Sequence, residues 1–212
     1  MSLLTMIVKG GWLMIFLALA LFLLITLVVE RTLVLRRTGR HVDFLTGRMK
    51  SLLPRGSLSE AIRFCEGFPG IMSSILKEGL LNHPSGKEEM EKAMQRKSRS
   101  EIQHLEKNLW WIASIAAAAP MIGFLGTVTG MIRAFMKIQT LGGNVNASVL
   151  AGGIWEALIT TAGGLLVGIP ALILYNYFTG KIDSLETKME SLAGEVVETL
   201  NRKEAQEKGG ER

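Results

Sequence analysis

The sequence predicts an all-α membrane protein, with three transmembrane helices and long helical extensions in the cytoplasm. Three observations carry this. Apolar residues gather into three runs, 11–29, about 109–135 and about 149–178, each of roughly 20 residues or more and so long enough to cross the hydrocarbon core of a bilayer. Between and after these runs, apolar residues recur at the helical spacings of three and four. The basic residues crowd one side of the runs: 15 of the 24 Lys and Arg lie between Glu30 and Asn108. A chain that is 48% hydrophobic with positive mean hydropathy is neither disordered nor an ordinary soluble domain.

The elements follow in order. Residues 1–10 form a short lead. The first run lacks a basic n-region, and Glu30, Arg31, Arg36, Arg37 and Arg40 follow it, so it is read as an anchor with a stop-transfer flank rather than a cleaved signal. Its helix should continue through Arg37 and stop near Gly39. Pro54 and Gly56 mark a break. Ser57 with Glu60 has capping-box spacing, opening a helix that ends near Gly67. A short helix over about 71–81 ends at Asn82-His83-Pro84. Ser85 with Glu88 is a second capping box. No breaker lies between Lys87 and Ala119, which predicts one continuous helix over about 86–136. Beyond the third run, Ile182, Leu185, Met189, Leu192, Val196 and Leu200 form an apolar stripe, a packing seam against the other cytoplasmic helices or a neighbouring subunit.

The division is therefore 1–29, lead and first span; 30–108, cytoplasmic helical region; 109–178, second and third spans; and 179–212, cytoplasmic C-terminal helix. Basic residues set the orientation. One precedes the first span, and six follow Gly180. The link between the later spans holds only Lys137, with Arg133 just inside the second span. The N-terminus is then outside, and the large loop and the tail are inside. That bias accounts for much of the net +5, so it is not a nucleic-acid footprint. Cys65 is a single cysteine, and His41, His83 and His104 lack ligand spacing. The sequence implies no metal and no cofactor. It holds no nucleotide loop and no nucleophile–base pair, so the chain is not read as an enzyme.

Glu156 is the only acid between Glu106 and Asp183, and it sits inside the third apolar run. A carboxylate at membrane depth costs a few kcal/mol or more, so such groups face a polar path or a partner, and they often carry protons. The plainer alternative is a neutral acid that only joins helices. Thr160 lies one turn after Glu156, Thr161 is close to that face, and Thr127 lies mid-span in the neighbouring run. Their hydroxyls are suited to donate to a carboxylate or to accept from a carboxylic acid. Gly126 with Gly130, and Gly164 with Gly168, are four apart. That spacing lets helix backbones approach closely in lipid and predicts an oligomer-building face. The first run has no such residues in its middle and is read as lipid-facing. Pro120 and Pro170 are candidate hinges or static kinks.

Gly123-Phe-Leu-Gly-Thr127-Val-Thr-Gly130 resembles the second-span signature of the ExbB/TolQ/MotA proton-channel proteins. Gly153-Ile-Trp-Glu156-Ala-Leu-Ile-Thr-Thr161 through Pro170 to Asn176 resembles their third span. A Glu at position 156 points to the ExbB/TolQ branch. The resemblance implies a proton path through Glu156, Thr127 and Thr161, and a homo-oligomer, a pentamer, around an ExbD/TolR-like membrane partner in the bacterial inner membrane. It also implies coupling of the proton-motive force to a TonB- or TolA-like protein. Trp155 and Thr160 replace smaller residues of the commonest wording. A stator subunit of a flagellar or gliding motor, and a non-conducting scaffold, are the alternatives.

Overall fold

The structure is a computed structural model that describes residues 11–53, 58–140 and 147–210. Six α-helices are present among them: α1 Leu13–Leu52, α2 Leu58–Gly67, α3 Ile71–Leu81, α4 Lys87–Glu106, α5 Leu109–Thr140 and α6 Ala147–Gly210, with a 3₁₀ turn at His83–Ser85 between α3 and α4. Three of them, α1, α5 and α6, contain stretches long and apolar enough to cross a membrane. The chain is thus a multi-pass, all-helical membrane protein. It falls into two compact units, one of residues 1–30 and 108–178, the other of 31–107 and 179–212.

In the first unit, α5 and α6 meet along small residues and the start of α1 packs on them. Leu13, Met14, Leu17, Leu24 and Leu27 are buried, and the Met14 sulfur and Leu17 sit where a side chain on Gly163 would go. The first span therefore buries one face and is not lipid-facing all round. Its other face, with Phe16, Leu19 and Phe22, is exposed, as are Phe124, Ile132 and Phe135 of α5 and Leu166, Ile169 and Ile173 of α6.

The second unit is held by a methionine- and leucine-rich core. Leu35, Val42, Leu45 and Met49 of α1 form a stripe, all buried. Gly39 interrupts the sequence but not the helix, which runs on to Leu52 rather than stopping near Gly39. A mid-helix glycine costs about 1 kcal/mol, and burying a single Leu or Met of this stripe returns roughly 1.5–3 kcal/mol. The predicted seam in the tail is present, with all six of its residues buried. Ion pairs flank it, Lys188 to Asp43 at 2.8 Å and Lys50 to Glu195 at 3.0 Å. A side chain on Gly79 would strike Met94, so α3 and α4 pack at glycine distance.

Two further expectations are corrected. The helix over 86–136 is not continuous, because Lys107 leaves helical geometry and Asn108 is left-handed at φ 73°. Asparagine tolerates that region better than most side chains. Here its amide donates to Glu30 Oε2 at 3.1 Å. Buried Arg31 donates to the Leu105 carbonyl at 2.8 Å and so satisfies the end of α4. The Ser85 capping box does not form: Gly86, at φ 95°, takes the N-cap position without a side-chain bond, and Ser85 belongs to the 3₁₀ turn. The Ser57–Glu60 box falls on Ser57, outside the described residues.

Candidate functional site

The seam between α5 and α6 is an antiparallel ladder of small residues. A methyl group on Gly123 would lie 3.1 Å from the Thr160 carbonyl oxygen, and one on Gly164 would lie 2.5 Å from that of Ala119. Gly130 faces Ala157, with 3.0 Å between an added carbon and the alanine methyl, and Gly153 faces Ala134 at 2.6 Å. Gly126 is closed by the Thr160 side chain. Gly168 lies against the Pro120 ring, 2.6 Å from an added carbon. All four predicted packing glycines thus serve contacts inside one chain. Close approach of this kind yields dispersion contacts that lipid cannot replace, and each of the four glycines makes such a contact within the chain. Helices α5 and α6 both continue across their prolines, Pro120 and Pro170.

The ladder fixes what stands beside it. Arg133 lies between Gly130 and Ala134, and Glu156 lies beside Ala157. Arg133 Nη1 donates to Glu156 Oε1 at 2.7 Å, a charge-assisted bond. The side chains are 48% and 29% exposed, so the pair sits at the edge of the seam and is open on one side. Gly11, at the mouth of α1, comes so near that a carbon added there would be 2.5 Å from Glu156 Oε1. Its φ of 72° is one that glycine adopts without strain. Trp12, Thr129 and Thr160 complete the recess around the pair.

Sequence reasoning located Glu156 and missed its partner. By sequence Arg133 reads only as a flanking charge. The signal was available: setting Gly123, Gly126, Gly130 and Ala134 against Gly164, Thr160, Ala157 and Gly153 in antiparallel order brings Arg133 to Glu156. Thr129 and Gly11 were also missed. The three threonine hydroxyls each donate to backbone within the chain. The Thr127 hydroxyl donates to the Phe124 carbonyl at 2.6 Å, Thr160 to that of Glu156 at 2.9 Å, and Thr161 across the seam to that of Gly123 at 2.9 Å. A hydroxyl has one proton to give, so in these bonds it goes to backbone and not to the Glu156 carboxylate. For Thr127 and Thr160 the accepting carbonyl lies one turn back on the same helix, whereas Thr161 reaches one on α5. The lone pairs of these oxygens still accept.

Fold and site together define a multi-pass α-helical membrane protein with an ionisable pair inside its apolar spans. The comparisons with known proteins make this specific: the chain belongs to the MotA/TolQ/ExbB proton channel family, whose description matches residues 69–191. These are transport proteins and not enzymes. The chain is similar to a biopolymer transport protein ExbB homologue of Methanothermobacter thermautotrophicus, at 33% identity over 163 residues, or 76% of this chain and 57% of that protein. An ExbB-like protein of Synechocystis is 31% identical over 201 residues, 92% of this chain and 77% of that one. The Tol-Pal system protein TolQ of Pseudomonas aeruginosa is 36% identical over 135 residues, 64% of this chain and 54% of that one. The match thus spans less than two thirds of the first and third of these relatives.

Proposed function

We propose that this chain is the channel subunit of a proton-driven inner-membrane motor of the ExbB/TolQ type, with Glu156 as the group that takes up and releases the proton. The observation that carries this is the Arg133–Glu156 pair at 2.7 Å within the family-matched region, part exposed on the α5–α6 edge. A carboxyl group is one that takes up and releases a proton, and the guanidinium positions this one at the edge of the seam. When a proton arrives on Oε1 or Oε2, the acid becomes neutral and the pair loses most of its attraction. Arg133 is then free to reorient, and the local charge rises by one. Loss of the proton to the opposite side restores the pair. One charge moved through 100 mV yields about 2.3 kcal/mol, and this is the energy available for breaking and remaking the pair.

Thr127, Thr160 and Thr161 contribute acceptor oxygens along the same helices. Several copies, five by family resemblance, would enclose the helices of an ExbD/TolR-like partner. A TonB- or TolA-like protein would receive the work. That the relatives above are named for biopolymer transport and the Tol-Pal system favours this output over a flagellar or gliding stator.

Proton flux into proteoliposomes holding the chain and its membrane partner, followed with an enclosed pH-sensitive dye, tests the reading. Glu156→Gln is expected to reduce flux at least tenfold while native mass spectrometry shows an intact complex. Parental flux in Glu156→Gln would overturn the role of this acid and leave the pair a structural one.

A further inference from the structure

Helix α1 carries a second charged feature, far in sequence from Glu156. Leu33 of its exposed face is 64% exposed. Arg37 follows one turn later and Arg40 two turns later, about 6 and 10 Å along the axis at 1.5 Å per residue. The polar layer of a bilayer extends roughly 5–8 Å beyond the hydrocarbon on each side, and long arginine side chains reach back towards it.

Arg37, Arg40 and His41, with Leu33, Phe44 and Phe68, line an open recess of about 620 Å³. Arg37 and His41 also line a second recess of about 170 Å³ that Pro69 and Gly70 bound. No carboxylate lines either one. The next acid along α1, Asp43, is held by Lys188 at 2.8 Å. Arg40 bonds its own helix through Nε, to the Arg36 carbonyl at 3.4 Å, and neither arginine of the recess forms an ion pair among the described residues. The His41 Nδ1 atom is buried and has no hydrogen-bond partner in the structure, although buried polar atoms are nearly always paired. The wall is fixed by aromatic stacking, Phe44 on Phe68 at 4.7 Å and His41 by Phe68 at 6.2 Å.

We propose that this recess binds the phosphate of an anionic phospholipid in the leaflet bordering Arg37. Two guanidinium forks suit phosphate oxygens, and Leu33, on the membrane side of them, gives the glycerol and acyl chain an apolar lip. A free phosphate would satisfy the arginines but leave that lip in water, so the lipid is the better match.

The test uses the assembled complex in detergent, titrated with phosphatidylglycerol or phosphatidylcholine and read by native mass spectrometry. Phosphatidylglycerol is expected to bind at least tenfold more tightly than phosphatidylcholine. Arg37→Gln with Arg40→Gln is expected to weaken phosphatidylglycerol roughly thirtyfold. Arg48→Gln with Arg63→Gln removes equal charge outside the recess and is expected to stay within twofold of the parent. Arg37→Lys with Arg40→Lys keeps the charge and guards against a folding defect; it is expected to retain most of the affinity. The proposal is overturned by equal binding of the two lipids, by equal losses in the two glutamine pairs, or by displacement of the lipid by millimolar inorganic phosphate, which would mark a soluble anion site. None of these outcomes depends on proton flux.

Discussion

At the scale of single residues, the proposed chemistry rests on one bond. Arg133 and Glu156 meet at 2.7 Å, and each would be a membrane-depth charge without the other. Pairing offsets part of the cost of holding either charge at that depth. Its use is positional: the guanidinium holds the carboxylate at the edge of the seam. Arg133→Gln is expected to lower proton flux about tenfold in the proteoliposome assay. Arg133→Lys keeps a point charge without the fork and should fall between the two. In a double-mutant cycle, Arg133→Gln added to Glu156→Gln should do no further harm, because both act through one bond. Additive losses would mean that Arg133 serves another group.

Helix contacts set where that bond can form. The α5–α6 seam works only because its residues are small: a methyl group on Gly164 would sit 2.5 Å from a backbone oxygen that cannot rotate aside. Gly164→Ala is therefore expected to destabilise the chain by about 1–3 kcal/mol as an overpacked contact, and Gly164→Leu should prevent folding. The readout is the thermal midpoint of the detergent-solubilised protein. Since the clash lies inside one chain, the effect should persist in a dissociated monomer; a loss confined to assembly would return these glycines to an interface between copies. On α2, burial pushes the Cys65 thiol up from 9.0 to about 11, against the lowering effect of Lys77. A thiol raised in the folded state favours folding below pH 9 and loses that contribution as pH climbs towards 11. Cys65 should accordingly resist alkylation at pH 8 and react at once when the chain is unfolded. Rapid labelling of the native protein would mean that α2 opens readily.

For the whole molecule, orientation is the property that decides function, because a proton path has a direction. By the positive-inside bias, we propose that the 30–108 region and the tail lie in the cytoplasm. In a Cys65→Ser background, Thr140→Cys should be labelled from outside intact cells by an impermeant maleimide, and Lys181→Cys only after permeabilisation. The reverse pattern would invert the direction of the proposed motor.

Sequence alone determined the three spans, the tail seam and the singular position of Glu156. Each follows from composition and period along one helix, and a helix makes its own hydrogen bonds whatever lies beside it. It did not determine where helices stop. Gly39 looked like an end and proved to be interior, because α1 buries Leu35, Val42 and Met49 on either side of it. Asn108 looked like helix and proved to be a break, its left-handed backbone tied to Glu30 from 78 residues away. Nor did sequence decide what the glycines and threonines do. Gly164 could have faced a second chain, lipid or Gly123, and the Thr161 hydroxyl could have faced an acid or a carbonyl. Those are choices between partners at equal local energy, and only the antiparallel register of α5 on α6 separates them. The same register brings Arg133 to Glu156. A pair 23 residues apart on two helices has no signature along either one, because its attraction becomes large only when the backbones are already in place.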